Sequence, residues 1–296
     1  MTSLTRRQFL GASAAGAAGL AVGPLAAPLF GAARGNIRFP GPYGVQMYSI
    51  RKGMQTDPAA ALKMVRSIGY TQIECWQPTG VNAKKLKPLL KAAGLVAPGM
   101  HTVYDALDHD MPSLIRNAHG IGAEWVVCAW VDAPLRQSGA DYLRLAKRFN
   151  QFGRELRRAG LRLGYHNHTQ EFIRFGGVPA LDILMRHTDP NLMWLELDIG
   201  HVVRAGANPV TYLRRYARRT PLLHLKDVAP NAGVTHPTKP TQYHDVPMGT
   251  GIIDLKGVLL VAHQNHVQHY YVEDEATGPV RPELTDDYNY LRRVRF

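Results

Sequence analysis

Four residues able to bind a metal or move a proton each stand at or next to the end of a short apolar run. His166 closes LRLGYH (161–166), Asp198 closes WLELD (194–198), His224 lies in PLLHLK (221–226), and Glu273 closes HYYVE (269–273). Two imidazoles and two carboxylates form a mixed nitrogen and oxygen donor set. Such a set suits one divalent ion of the Mn, Zn, Co, Fe or Mg kind better than Ca, which prefers oxygen alone. A cation there could hold neighbouring oxygens of a sugar or keto-sugar, polarise its carbonyl and stabilise the enediolate left when the adjacent carbon loses a proton. Aldose–ketose isomerisation, epimerisation beside a carbonyl and elimination from a keto-sugar all pass through that species.

These groups are far apart in the chain, so the elements that carry them must converge. Apolar runs near 43–49, 71–76, 95–101, 124–130, 161–166, 193–198, 221–226 and 269–273 alternate with helical patterns such as DPAAALKMVRSIG and YLRLAKRFNQFGRELRRAG. Several of these patterns stop at a glycine just before the next run, at Gly69, Gly94 and Gly160, as helix C-termini commonly do. Eight such alternations without a dividing linker predict an α/β fold, a single-domain (β/α)8 TIM barrel over 35–296, whose working groups sit at the carboxyl ends of its strands.

Strand alternation sharpens this reading. If the four residues point inward, Glu196, Lys226 and Tyr271 share their face, as do Gln46 with Tyr48, Glu74 with Trp76, and His101 with Gly99. The opposite parity is apolar, as in Leu195, Leu197, Leu223 and Leu225, and is predicted to pack on the outer helices. The segment from about 229 to 251, with Pro230, Pro237, Pro240 and Pro247, reads as a long loop and a candidate lid.

The first 34 residues read as an address. Arg6 and Arg7 precede a glycine-rich, weakly apolar stretch interrupted by Pro24 and Pro28, and no acid occurs before Asp57. The pattern resembles a bacterial Tat signal, implying Tat export machinery, a periplasmic or secreted protein and no stable membrane insertion after processing. Removing Arg6, Arg7 and Arg34 leaves 32 basic against 23 acidic residues, so the net charge falls from +12 to +9. The arginines are spread along helices such as RFNQFGRELRRAG, which reads as solvated outer faces and gives no nucleic-acid partner. Cys75 and Cys128 belong to strands separated by a third, roughly 10 Å apart, too far for a disulfide.

The mature chain resembles the xylose-isomerase-like TIM-barrel superfamily, often labelled sugar phosphate isomerase/epimerase. The residues that carry the likeness are GVQMYSIR (44–51), GYHNHTQEF (164–172), LELDIGHVVRAGANPVTYL (195–213), LLHLKDV (222–228), GTGIIDLKGVL (249–259) and YYVEDE (270–275). The resemblance implies a metal-dependent isomerase or epimerase acting on a small sugar or keto-sugar. It puts Asp198, His224 and Glu273 on metal-ligand positions and His201 on a substrate position. It also exposes a departure: epimerases carry a glutamate at the fifth strand end, where this chain has His166. Glu171 or Lys226 could then supply the base, or the reaction could need only one, as in a 3-keto-glycoside lyase or hydrolase. A third reading is a sugar-binding barrel without turnover.

For the fifth-strand ligand, His166 and His168 remain alternatives, and His168 is otherwise a catalytic candidate beside Glu273, Glu171 and Lys226. His101, His201, Glu74, Trp76, Gln46 and Tyr48 are the candidate substrate contacts. For His101, Glu74 and Lys226 the alternative is a polar layer that closes the barrel; for Trp76, Tyr48 and Trp130 it is packing. His236 and His244 are possible loop contacts.

Overall fold

Short, mostly apolar runs become parallel strands here, with helices packed on their outer faces. The computed structural model describes residues 38–76, 82–235, 239–275 and 280–296; the expected signal, Pro237 and His236 lie outside them. Eight barrel strands, β1 (Tyr43–Gln46), β2 (Gln72–Trp76), β3 (Val96–Val103), β4 (Trp125–Trp130), β5 (Arg162–His166), β6 (Met193–Asp198), β7 (Leu222–Leu225) and β8 (His269–Val272), close in sequential order with all pairings parallel. Helices return the chain between them: α1 (Arg51–Thr56) and α2 (Pro58–Ile68), α3 (Ala83–Ala93), α4 (Tyr104–His109) and α5 (Met111–Ile121), α6 (Gly139–Arg158), α7 (Ala180–His187), α8 (Ile199–Arg204) and α9 (Pro209–Arg215), α10 (Leu255–Gln264), and after β8, α11 (Val280–Leu291). The chain is the (β/α)8 barrel that its alternation predicts.

The helix stops follow the expected chemistry. Gly94 ends α3 at φ +69°, and its N–H reaches the carbonyls of Leu90 and Lys91; an L side chain would be strained there.

The two strand faces separate as parity requires. Val45, Ile73, Met100, Val126, Leu163, Leu195, Leu223 and Val272 join the large apolar cluster beneath the helices. Trp125, Val127, Leu222 and Tyr271 form a second cluster, the apolar floor inside the barrel. Floor packing needs a residue without Cβ on β1, since a Cβ on Gly44 would stand 2.6 Å from the Tyr271 ring. Cys75 and Cys128 are buried free thiols on the outward parity.

Two expectations change. β1 stops at Gln46, whose side chain accepts from Tyr48 N–H and starts a 3₁₀ turn over Met47–Ile50, so Tyr48 is not a strand residue. The expected long loop is not structureless: Asp227–Pro230 pairs antiparallel with Tyr243–Val246. This hairpin is tied down by Asp227, whose carboxylate accepts from Val228, Gly249, Gly251 and Ile253 N–H groups. Short polar arms with proline near their ends carry little periodic signal, which is why a loop is the natural reading of the sequence. Among the described residues no helix is long and apolar enough to cross a membrane.

Candidate active site

The carboxyl ends of β5 to β8 deliver His166, Asp198, His224 and Glu273 to one place, with one donor atom from each residue lying within 4.8 Å of the others. All four are buried. Asp198 also caps α8: its Oδ1 accepts from His201 N–H at 2.7 Å. That leaves Oδ2 turned to the cluster. Asn167 clamps the same strand end, accepting from Asp198 N–H at 3.0 Å and donating to Asp198 O at 3.3 Å.

A cation already stands against the acids. Lys226, one residue past β7, puts Nζ 3.1 Å from Asp198 Oδ2 and 3.1 Å from Glu273 Oε2, and it donates to Glu275. Burial opposes its charge, but Asp198, Glu273 and Glu275 outweigh burial and hold the ammonium well above its usual range. A charged ammonium offers a proton and no lone pair. Its arrangement suits an acid. Burial would raise the carboxyls of Asp198 and Glu273, yet Lys226 and the neighbouring imidazoles bring both below the ordinary range.

Glu171, the other candidate base, is turned away. Its Oε1 accepts from Tyr165 Oη at 3.0 Å and its Oε2 from His168 N–H at 2.7 Å, and Tyr165 lies on the outward parity of β5. Both oxygens are committed, so the carboxylate fixes the loop that carries His168 rather than facing the cluster.

His168 packs edge-on against His166, with ring centroids 4.9 Å apart, and lies 4.6 Å from His201 and 5.4 Å from Trp130. Burial, reinforced by His166, His201 and Lys226, keeps its pKa well below the ordinary value, which leaves a neutral imidazole. His166, His168 and His201 also offer mutually close ring nitrogens, so the fifth-strand alternative stays open on distance alone. His201 Nε2 lies 3.3 Å from Glu275 and 3.4 Å from Lys226 Nζ. At the end of β2, Trp76 meets Tyr48 edge-to-face at 4.9 Å, and both are part-exposed.

Gln46, Glu74 and His101, expected as substrate contacts, lie in a buried polar layer with Glu196; the first two are 0 % exposed and His101 is 3 %. His101 Nε2 lies 2.6 Å from Glu196 Oε2 and 2.9 Å from Glu74 Oε2. Burial disfavours charge on His101, while Glu74 and Glu196 favour it and lift its pKa to about 9. Gln46 Nε2, 2.9 Å from His101 Nδ1, demands an unprotonated nitrogen instead. The amide orientation is set by a backbone N–H that can only donate, so the directed bond decides, and Nδ1 is the acceptor.

Glu196 shares the inward parity of Asp198 in the sequence, but its central place appears only in three dimensions: one oxygen is within 3.2 Å of His101, His166 and His224 nitrogens. Glu275 and Asp245 had no such signal, since one lies beyond a strand and the other comes from the hairpin.

Behind Glu273, the hairpin and α11 enclose Asp227, Asp245, Asp274, Glu283 and Asp287. Burial, with Asp274, Asp286 and Asp227 adding, pushes Asp287 up to about 7, against the pull of Met248 N–H on its Oδ1. The folded state thus binds a proton that the unfolded chain has released, and stability falls as pH rises from about 4 to about 7. Asp287→Asn keeps the acceptor for Met248 and removes that loss. We expect thermal unfolding at pH 8 to show it more stable by on the order of 1–3 kcal/mol, with the difference vanishing near pH 4. An equal gain at both pH values would contradict this.

The profile described as xylose isomerase-like TIM barrel matches residues 62–293. The inosose dehydratase of Clostridium tetani (strain Massachusetts / E88) is 28% identical over 144 residues, 46% of this chain and 48% of its own. That of Clostridium beijerinckii is 27% identical over 161 residues, 51% of each. The chain thus spans about half the length of these curated relatives. A sugar phosphate isomerase/epimerase from Parabacteroides distasonis ATCC 8503 superposes with a TM-score of 0.70 at 22% identity, covering 85% of this chain and 93% of that one. The probable 3-DHS dehydratase of Bacillus anthracis gives 0.66 at 14%, covering 85% and 98%. At these identities the structures establish the shared fold.

Proposed function

Because the chain belongs to the xylose isomerase-like TIM barrel family, we propose that it is a divalent-metal-dependent lyase that eliminates an oxygen substituent β to the carbonyl of a keto-sugar, with a 3-keto-glycoside as the substrate class. The observation that carries this reading is the end of β5, where an imidazole stands and the next carboxylate along the chain, Glu171, is committed to Tyr165 and His168 N–H. Proton exchange between two opposed carboxylates lacks one arm there. Elimination needs one base and one acid. Relatives named inosose dehydratase support the choice, since dehydration is itself an elimination.

The donor set fits a metal: two imidazoles and two carboxylates within 4.8 Å of one another, in a field that already draws an ammonium against both acids. A divalent ion held by His166, Asp198, His224 and Glu273 would supply Lewis acidity toward the carbonyl. The chain's own groups do the rest. His168, neutral and at the mouth, takes the proton from the carbon next to the carbonyl. Lys226 gives a proton to the departing oxygen, so that a C–H and a C–O bond break as a C=C bond forms. Glu275 and His201 orient Lys226, and Trp76 and Tyr48 offer ring faces and edges to the sugar.

The purified protein with Mn²⁺ and an oxidised, 3-keto disaccharide is expected to release two fragments, and chelation is expected to stop the release. A single product of unchanged mass would replace this reading with isomerisation, and binding without conversion would leave a sugar-binding barrel.

A further inference from the structure

Beneath the upper donors lies a polar layer that the proposed chemistry does not touch, and His224 is the residue that joins the two levels. Its Nε2 lies 2.8 Å from Glu74 Oε2 and 3.2 Å from Glu196 Oε2. Its Nδ1 lies 2.9 Å from Glu273 Oε2 and 3.9 Å from Asp198 Oδ2. The two ring nitrogens therefore face different partners, acids below and candidate ligands above. An imidazole that offers one nitrogen to a cation keeps its proton on the other, and the group that accepts that proton sets both tautomer and ring direction.

We propose that Glu74 and Glu196 are positioning residues for His224: they hold its Nε2–H from below, so that Nδ1 is the nitrogen turned to Asp198 and Glu273. This inference rests on the reading of those upper residues as cation ligands.

The acceptors are themselves held by a directed chain. Tyr48 N–H donates to Gln46 Oε1, which turns Gln46 Nε2 toward His101 Nδ1 at 2.9 Å. His101 must then carry its proton on Nε2, which it directs to Glu196 Oε2 at 2.6 Å, with Glu74 Oε2 at 2.9 Å. Each bond fixes the direction of the next, from a backbone amide in the 3₁₀ turn to the underside of His224. The His101 ring also stacks on His224, with centroids 5.2 Å apart and planes 7° off parallel, which resists rotation of the ligand ring. Space for Glu74 comes from Gly99, where a Cβ would stand 2.8 Å from Glu74 Oε1. Four strands, β1, β2, β3 and β6, thus contribute to the direction of one imidazole on β7.

The test uses the full chain, stripped of metal, with Co²⁺ alone as the probe and its visible absorption as the readout. Glu74→Met is expected to weaken Co²⁺ binding by about 10- to 100-fold. Glu74→Gln keeps a carbonyl acceptor for Nε2–H and is expected to stay within about threefold of the parent. Glu196→Gln gives a second reading should Glu74→Met not fold, and it too should stay closer to the parent than Glu196→Leu. In the Zn²⁺-loaded parent, ¹⁵N spectra of His224 should show a protonated Nε2. Tight Co²⁺ binding by the parent with equal affinity in Glu74→Met would overturn the positioning role and leave the upper ligands intact. A protonated Nδ1, or a glutamine variant no better than its apolar counterpart, would overturn it likewise. A parent that binds no Co²⁺ would remove the upper-ligand reading and this inference with it.

Discussion

Replacing Glu273 with Gln, or His224 with Ala, is expected to lower kcat/KM by about a thousandfold or more and to leave the purified protein with less than stoichiometric metal. Each change acts on a buried donor held by its strand end, so no mobile neighbour replaces it. Glu273→Gln keeps the shape but removes one of the charges facing Lys226 at 3.1 Å and His224 Nδ1 at 2.9 Å. His224→Ala removes the upper donor and also strips Glu74 Oε2 and Glu196 Oε2 of a shared partner. The alanine variant should therefore lose stability as well as metal, whereas the glutamine variant should lose metal and turnover with a smaller change in melting temperature. Elemental analysis together with steady-state kinetics measures both. Full metal retention in the two variants would dismantle the proposed site.

That site was legible in the sequence to the extent that period-two alternation governs it. Alternation put His166, Asp198 and His224 on one face of their strands and assigned Leu195, Leu223 and Leu225 to the other, and the separate inner and outer apolar clusters follow that division. Depth within the barrel is a different quantity, and alternation does not encode it. Glu74 and His101 looked like mouth residues because they share the inward parity, yet both are buried among polar neighbours of their own, Glu74 bonding to His224 and His101 to Glu196. Direction beyond the last strand residue was equally hidden. Glu171 follows His166 by five positions, but the turn through Asn167–Gln170 points it at Tyr165 on the outward face. Glu275 and Asp245 approach Lys226 and Arg204 through a strand extension and a hairpin whose pairing depends on backbone bonds far apart in sequence.

Lys226 yields the prediction of opposite signs. Its ammonium neutralises the same oxygens, Asp198 Oδ2 and Glu273 Oε2, that a divalent ion would use. Lys226→Met fills similar space without charge and leaves three carboxylates, including Glu275, without their common partner. Without metal the variant is expected to be less stable by about 3–5 kcal/mol, the usual consequence of uncovering one side of a buried ion pair. Divalent metal should then bind at least about tenfold more tightly than in the parent, or about 1.4 kcal/mol, because it no longer competes with the resident ammonium. The rise in melting temperature on adding metal should be correspondingly larger. Turnover should nevertheless fall by about 10²- to 10⁴-fold, since the proton donor to the leaving oxygen is gone. Tighter metal with lost activity separates an acid from a ligand: a residue that merely held the site together would lose both in parallel, and that parallel loss would remove Lys226 from the proposed chemistry.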